Sequence, residues 1–259
     1  MKKMKVSLAI LFSALLITVP LGCIFGSITG SGNLTSEDKD FSGFTKIEAS
    51  HGFQLEITSS STFSIKITAD DNVHKYIDVD KDGDRLRIRM ESGRNYNSTT
   101  LRAKITMPDL YDIDLSGGSR ADITGFSSSH DLKLDLSGGS GVTGDITTGN
   151  ADFDLSGGSH INLEGSIDDV ELNGSGGSQF NLEGSANDLV INGSGGSQFN
   201  LELLSVDNAD INLSGGSRAT VNVVGTLDVN LSGGSRVEYI GEPTLGDIDL
   251  SGDSTLSKK

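Results

Sequence analysis

Four groups of residues in this 259-residue chain have types and spacings that could do chemistry. Cys23 is the only cysteine; it follows a basic start (Lys2, Lys3, Lys5), an apolar run from Val6 to Leu21, and Gly22. That order is the form of a signal peptide, and a cysteine so placed is a substrate for lipid attachment, so Cys23 is the expected lipidation site. Asp78, Asp80, Asp82 and Gly83 fall at positions 1, 3, 5 and 6 of a calcium loop, but position 12 is Arg89, which supplies no carboxylate. Asp114, Asp135 and Asp154 recur at a near-constant interval and could form a carboxylate ladder that attracts cations. Arg120, His160, Arg218 and Arg236 recur in the same way as a second, basic ladder, expected to partner nearby acids or to line a surface-binding face. No set of ligands points to a resident metal, and no cofactor is expected.

The interval belongs to a repeat. The tetrapeptide "SGGS", or its relative "SGDS", begins at Ser116, Ser137, Ser156, Ser175, Ser194, Ser214, Ser232 and Ser251. Eight copies about 19 residues apart make a repeat architecture. Counted from that first Ser, apolar residues occupy odd offsets. Ile113, Leu134, Phe153, Leu172, Ile191 and Ile211 stand three before; Ala121, Val142, Ile161, Phe180 and Phe199 stand five after. Alternation with a period of two is the signature of a strand. Each repeat therefore reads as strand, SGGS corner, strand and second turn. Coils of this kind cannot bury their inner faces alone and must stack.

The predicted fold is all-β: a right-handed parallel β-helix, or β-solenoid, of about eight regular 19-residue coils with an irregular N-terminal β segment. Residues 1–22 read as the signal peptide and 23–43, rich in Gly and Ser, as a flexible tether. Residues 44–108 read as a capping β segment, 109–256 as the regular solenoid and 257–259 as a tail. "IEASHGFQLEIT" looks like a degenerate coil with Ile47, Phe53, Leu55 and Ile57 inward. "DVDKDGDRLRIR" reads as a hairpin turning at Lys81–Gly83 rather than a calcium loop.

Composition narrows the function. The formal charge of −16 opposes binding to nucleic acid. Loss of residues 1–22 would take away three lysines and no acid, leaving −19. A lone cysteine cannot form an intrachain disulfide. "GSGGS" lacks the Lys and following helix of a phosphate loop, and the nine-residue period of secreted calcium repeats is absent.

Three stretches, "GSGNLTSEDKDFSGFTKIEASHGFQLEI", "ITADDNVHKYIDVDKDGDRLRIRM" and the "DLSGGS" repeats, together resemble the auto-transporter adhesin family with the head GIN domain. The resemblance covers nearly the whole chain beyond the signal segment. It implies an exported protein, a right-handed parallel β-helix, a cell-surface role and no catalytic residues. The expected function is thus a lipid-anchored surface protein, an adhesin or extracellular binding module. Its expected partners are a membrane, through the N-terminal lipid, and a glycan or protein ligand. Alternatives are a polysaccharide-acting β-helix enzyme, which would need acids clustered around a catalytic Arg or Lys, and a structural or sensor ectodomain of the envelope.

Overall fold

Stacking of identical positions governs the architecture. In the computed structural model, which describes residues 26–259, each SGGS repeat is one coil whose strands lie directly over those of the next. Strands that precede the corner form one parallel sheet, here the leading sheet. It runs through Lys46–Ala49, Asp112–Leu115, Leu132–Leu136, Ala151–Leu155 and Val170–Gly174, and on to Thr226–Leu231 and Thr244–Leu250. Strands that follow the corner form the trailing sheet, from Gln54–Ser59 and Arg120–Ser127 up to Arg236–Ile240 and Thr255–Lys258. In two coils the trailing strand continues through the second turn into the next leading strand, as Gln179–Gly193 and Gln198–Leu213. The β-solenoid expected from the period is present.

The odd-offset residues fill the space between the sheets. Ile113, Leu134, Phe153, Leu172, Ile191 and Ile211 are all fully buried. So is the second Ser of each corner, from Ser119 to Ser235. That buried hydroxyl is satisfied locally: Ser178 Oγ donates to Ser175 O at 2.6 Å, and six other corners repeat the bond. Both corner glycines have positive φ, 65° at Gly176 and 78° at Gly177. Two successive left-handed residues turn the chain sharply and suit glycine.

The degenerate coil is a ninth rung. Lys46–Ala49 pairs in register with Asp112–Leu115, and Gln54 pairs with Arg120. Ser50–Phe53 is therefore the same corner, with His51 and Gly52 at φ 69° and 79°. Phe53 replaces the buried Ser, and Ile47, Leu55 and Ile57 are buried as expected.

Residues 60–111 are inserted between this rung and the next coil, and they close the N-terminal end. On the leading sheet, Arg85–Met90 pairs with Lys46–Ala49, and the antiparallel strand Ile77–Asp82 covers it. The hairpin turns at Gly83–Asp84, two residues later than the sequence suggests, because Asp82 pairs with Arg85. On the trailing sheet, Leu101–Met107 pairs with Gln54–Ser59, Ser64–Asp70 pairs antiparallel with it, and Leu34–Lys39 closes the edge. This corrects the expected tether: Leu34–Lys39 is an edge strand, and Ser27–Thr29 pairs with Asn95–Asn97. A solenoid end left bare would present unpaired backbone groups, and a charged antiparallel edge blocks further stacking. At the other end none of the described residues stacks on the rung of Thr244–Leu250, and Leu245, Ile248 and Leu250 are exposed.

Candidate functional site

The outward face of the leading sheet carries two in-register polar columns. Two residues before each corner, Glu48, Asp114, Asp135, Asp154, Asn173 and Asn192 lie over one another. Two residues earlier stand Asp112, Lys133, Asp152, Glu171 and Val190. Adjacent rungs of a sheet are about 4.8 Å apart, so these side chains shield each other. The ladder points outward as alternation requires, yet Asp114, Asp135 and Asp154 are half-buried.

Two shallow grooves follow the columns. One, of about 490 Å³, is lined by Asp114, Asp135, Asp154, Asn173 and Asn192 with the corner serines. The other, of about 540 Å³, is lined by Tyr111, Asp131, Lys133, Asp152, Asp169 and Glu171, among others. At the capped end of the second groove the rings of Tyr111 and His130 meet at 4.9 Å.

Charge is the main property of this face. Burial pushes the carboxyls of Asp114, Asp135 and Asp152 above the usual carboxylate range. Glu48 and Asp135 push Asp114 further, and Asp154 adds to Asp152. Lys133 sits among them, its Nζ 3.6 Å from both Asp135 and Asp154 and 4.0 Å from Asp152. Asp135 first, then Asp152 and Asp154, raise the Lys133 pKa, so the ammonium is held charged. At the capped end Arg85 Nη2 donates to Asp112 Oδ2 at 2.9 Å, tying the hairpin to the sheet. The arrangement suits a cation or a neutral hydrogen-bonding ligand and repels an anion.

A third column was not legible as a structural device. Asp131, Asp169 and Asn208 stand six residues before their corners, and each side chain accepts the backbone N–H of the next coil. Asn150 donates to Asp131 at 3.0 Å, Asp188 to Asp169 at 3.2 Å and Thr226 to Asn208 at 3.0 Å. The signal was present in the sequence as an Asp or Asn six before the corner in five successive coils, Asp131, Asn150, Asp169, Asp188 and Asn208. Lys133, the one base among the acids of Asp112–Glu171, was likewise visible by column and passed over.

The basic residues lie elsewhere. Arg120, His160, Arg218 and Arg236 face outward from the trailing sheet, away from the Asp ladder. Arg218 pairs in register with Arg236, and Gln198 lies on the other side of Arg218. Among the described residues none of these four is in an ion pair, so the expected partnership with neighbouring acids is not seen. In-register stacking sets like beside like, and the acids that could pair stand in other columns. The His160 ring instead occupies the space over Gly141, where a Cβ would meet it at 2.4 Å.

The calcium-like acids are engaged by arginines across the hairpin. Arg89 Nη2 lies 2.6 Å from Asp78 and 3.1 Å from Asp80, and Arg87 Nη2 lies 2.5 Å from Asp80. Position 12 of the would-be loop is thus a counter-ion for position 1. Cys23 lies outside the described residues.

Comparison with known proteins agrees with this fold. The family described as "putative auto-transporter adhesin, head GIN domain" matches residues 43–183 and 166–243. The chain belongs to this family. Its fold recurs in solved structures at low identity. A "putative lipid binding protein" from Parabacteroides distasonis shares 17% identity at a TM-score of 0.80, and 90% of this chain covers all of that one. A "putative adhesin" from the same species shares 19% identity at a TM-score of 0.79, with the same coverage. Another, from Bacteroides fragilis, shares 20% at a TM-score of 0.69, also over 90% of this chain and all of that one. No curated protein matches the chain.

Proposed function

We propose that this GIN-domain protein is an exported adhesin, anchored by lipid at Cys23, that binds an extracellular ligand along the leading-sheet face and performs no catalysis. One observation carries the reading: the half-buried carboxylates of Asp114, Asp135 and Asp154 stand in register along a groove that Asn173 and Asn192 continue. Eight spacings of about 4.8 Å give nine rungs a length of roughly 38 Å. A ligand lying along the rod meets a carboxylate at each of the Asp114, Asp135 and Asp154 rungs and a carboxamide at the Asn173 and Asn192 rungs, so weak contacts add through effective concentration. The charge selects a cationic or neutral polymer, such as an amino sugar chain or a basic protein segment. Tyr111 and His130 offer it an aromatic surface at one end of the groove.

The family assignment supports export. The basic start, the apolar run and Gly22 before Cys23 support attachment there, and among the described residues no helix is long and apolar enough to cross a membrane. Asp135, Asp152 and Asp154 hold the Lys133 ammonium charged, so that side chain is not itself a general base; the lyase assay below tests the carboxyls around it.

The test is an array of glycans and matrix proteins probed with wild type and with Asp135→Asn/Asp154→Asn, with lyase activity assayed on every polysaccharide. Binding to cationic or neutral polymers that the double variant weakens supports the proposal. Turnover of a polysaccharide, or binding confined to anionic ligands, refutes it. Lipidation is read separately, by mass spectrometry of the membrane fraction and by release of Cys23→Ser into the soluble fraction.

A further inference from the structure

The charge of the protein is unevenly distributed along the rod. Residues 26–111 carry 11 Lys or Arg against 13 Asp or Glu; residues 112–259 carry 6 against 23. The capped end is therefore close to neutral, while the coils hold almost the whole negative charge. An anionic lipid surface would tolerate the cap and repel the coils.

The cap also presents a cluster that the ligand-binding face does not use. Tyr76 and Tyr96 meet with ring centroids 6.2 Å apart. Lys75 Nζ lies 5.0 Å and the Arg94 guanidinium 4.9 Å from the centre of the Tyr76 ring. Lys75 and Arg94 are exposed, and both tyrosines are half-buried. Arg94 is shared with Glu91 at 3.2 Å, and Tyr96 OH donates to the Glu91 carbonyl at 2.9 Å. Of the other charges nearby, Asp78 and Arg89 neutralise each other at 2.6 Å, His74 faces Glu37 at 3.5 Å, and the exposed Asp71 accepts from Ser31 Oγ at 2.6 Å. Basic side chains beside amphipathic aromatic rings are the composition of a membrane–water interface.

Its position relative to Cys23 is the second observation. Tyr96 pairs in register with Ile28, and Asn97 Nδ2 donates to Ser27 Oγ at 2.6 Å. The folded body thus begins four residues after Cys23, a span of at most about 14 Å. A lipid on Cys23 would hold this cluster within reach of the headgroups, where a twenty-residue tether would not.

We propose that Lys75, Tyr76, Arg94 and Tyr96 form a footing that docks on anionic phospholipid headgroups and sets the capped end of the rod against the membrane, coils outward. The proposal rests on lipidation at Cys23, so its test must separate the two. The full chain is reconstituted in vesicles of phosphatidylcholine with phosphatidylglycerol, in phosphatidylcholine alone, and in detergent. Backbone hydrogen exchange is followed in each, and the state of Cys23 is read by mass spectrometry in the same samples. Segments 72–78 and 91–97 should exchange more slowly in the anionic vesicles than in the other two, with residues 112–259 unchanged. Lys75→Gln/Arg94→Gln should remove that protection while the lipid stays in place. At roughly five-fold per basic residue, the docked population should fall about 25-fold relative to the undocked. Equal exchange in vesicles and detergent with Cys23 lipidated overturns the footing. So does protection that is the same in both vesicle types and survives the double variant. If Cys23 carries no lipid, the anchoring proposal fails by itself. A maleimide lipid attached to that sole thiol then supplies the anchor, and the same comparison decides the footing.

Discussion

The rings of Phe180 and Phe199 stack with centroids 4.6 Å apart and planes 12° from parallel, and they fill the room left by Gly174 and Gly193. A Cβ on Gly174 would meet Phe180 at 2.8 Å and Phe199 at 2.9 Å; one on Gly193 would meet Phe199 at 2.6 Å. Elsewhere the position before the corner is Leu and its partner five after is smaller, as in Leu136 with Val142 or Leu155 with Ile161. The two glycine coils exchange volume across the corner. Phe180→Ala should cost about 3–5 kcal/mol through the cavity it leaves, and Gly174→Leu about 1–3 kcal/mol through overpacking. Replacing Gly174 and Gly193 by Leu together with Phe180 and Phe199 by Ile should cost well under the sum of the parts. Urea denaturation of the set measures the coupling; strict additivity would mean the rings do not occupy the glycine space.

Strand register is tested by two adjacent residues. Ile191 is fully buried and pairs with Leu172 and Ile211. Asn192 points outward, with its Nδ2 donating to Asn173 Oδ1 at 2.9 Å. Ile191→Asp should cost several kcal/mol, a large part of a typical domain stability. Asn192→Asp loses this part-buried hydrogen bond and a longer one to Glu171 Oε1 at 3.4 Å, in a column that already holds Asp at four other coils, and it should cost about 1–2 kcal/mol. Coils touch mainly their neighbours, so hydrogen exchange in Ile191→Asp should rise first over roughly residues 172–211. Equal effects at the two positions would refute the register.

The two corner glycines should differ in tolerance. At Gly176 a Cβ would meet the backbone N of Gly157 at 3.1 Å, whereas at Gly177 it meets open space. Both have positive φ, but Asp253 already occupies the second position at φ 61°. Gly177→Asn should therefore cost under about 1 kcal/mol, since Asn accepts the left-handed region. Gly176→Val should cost more than about 2 kcal/mol, adding contact with the next coil to a backbone strain of about 1–2 kcal/mol. Thermal midpoints of the two variants rank them, and the reverse order would refute the stacking.

Stability should vary with pH in two opposed parts. Asp114, Asp135 and Asp152 have raised carboxyl pKa values, chiefly from burial. Their contribution is fully present below the ordinary value of 3.8 and is lost as pH rises through the higher folded values. Asp70, Asp80 and Asp84 act the other way. Backbone N–H groups of Thr100 and Gly32 lower Asp70, Arg87 lowers Asp80 and Lys46 lowers Asp84. Their contribution is present above 3.8 and is lost as pH falls through the lower folded values. Acidifying from neutrality should first raise the melting point, as the ladder protonates, and then lower it as the cap carboxylates protonate. Asp114→Asn should flatten the first part and Asp70→Asn the second. A monotonic fall from pH 7, unchanged in Asp114→Asn, would refute the strain assigned to the ladder.

The solenoid was legible in residues 109–256 because its signals are local and repeated. A buried odd-offset column, a glycine doublet suited to a left-handed corner, and a period near 19 each point to the same coil, and the Phe180 and Phe199 ladder follows from the period alone. The "SHGF" corner was readable for a related reason: Ile47, Leu55 and Ile57 keep the alternation although His51 replaces a glycine. The capped end was decided by tertiary structure. "LTSEDK" has the composition of a tether, and Leu34–Lys39 becomes a strand only because Ser64–Asp70 offers an unpaired edge. The candidate site shows the same division. Alternation alone sends Asp114, Asp135 and Asp154 outward. The period sets these coils one over another, but the half-burial, the raised pKa values and the seat of Lys133 among them depend on how far neighbouring side chains shield one another, which the stacked structure decides.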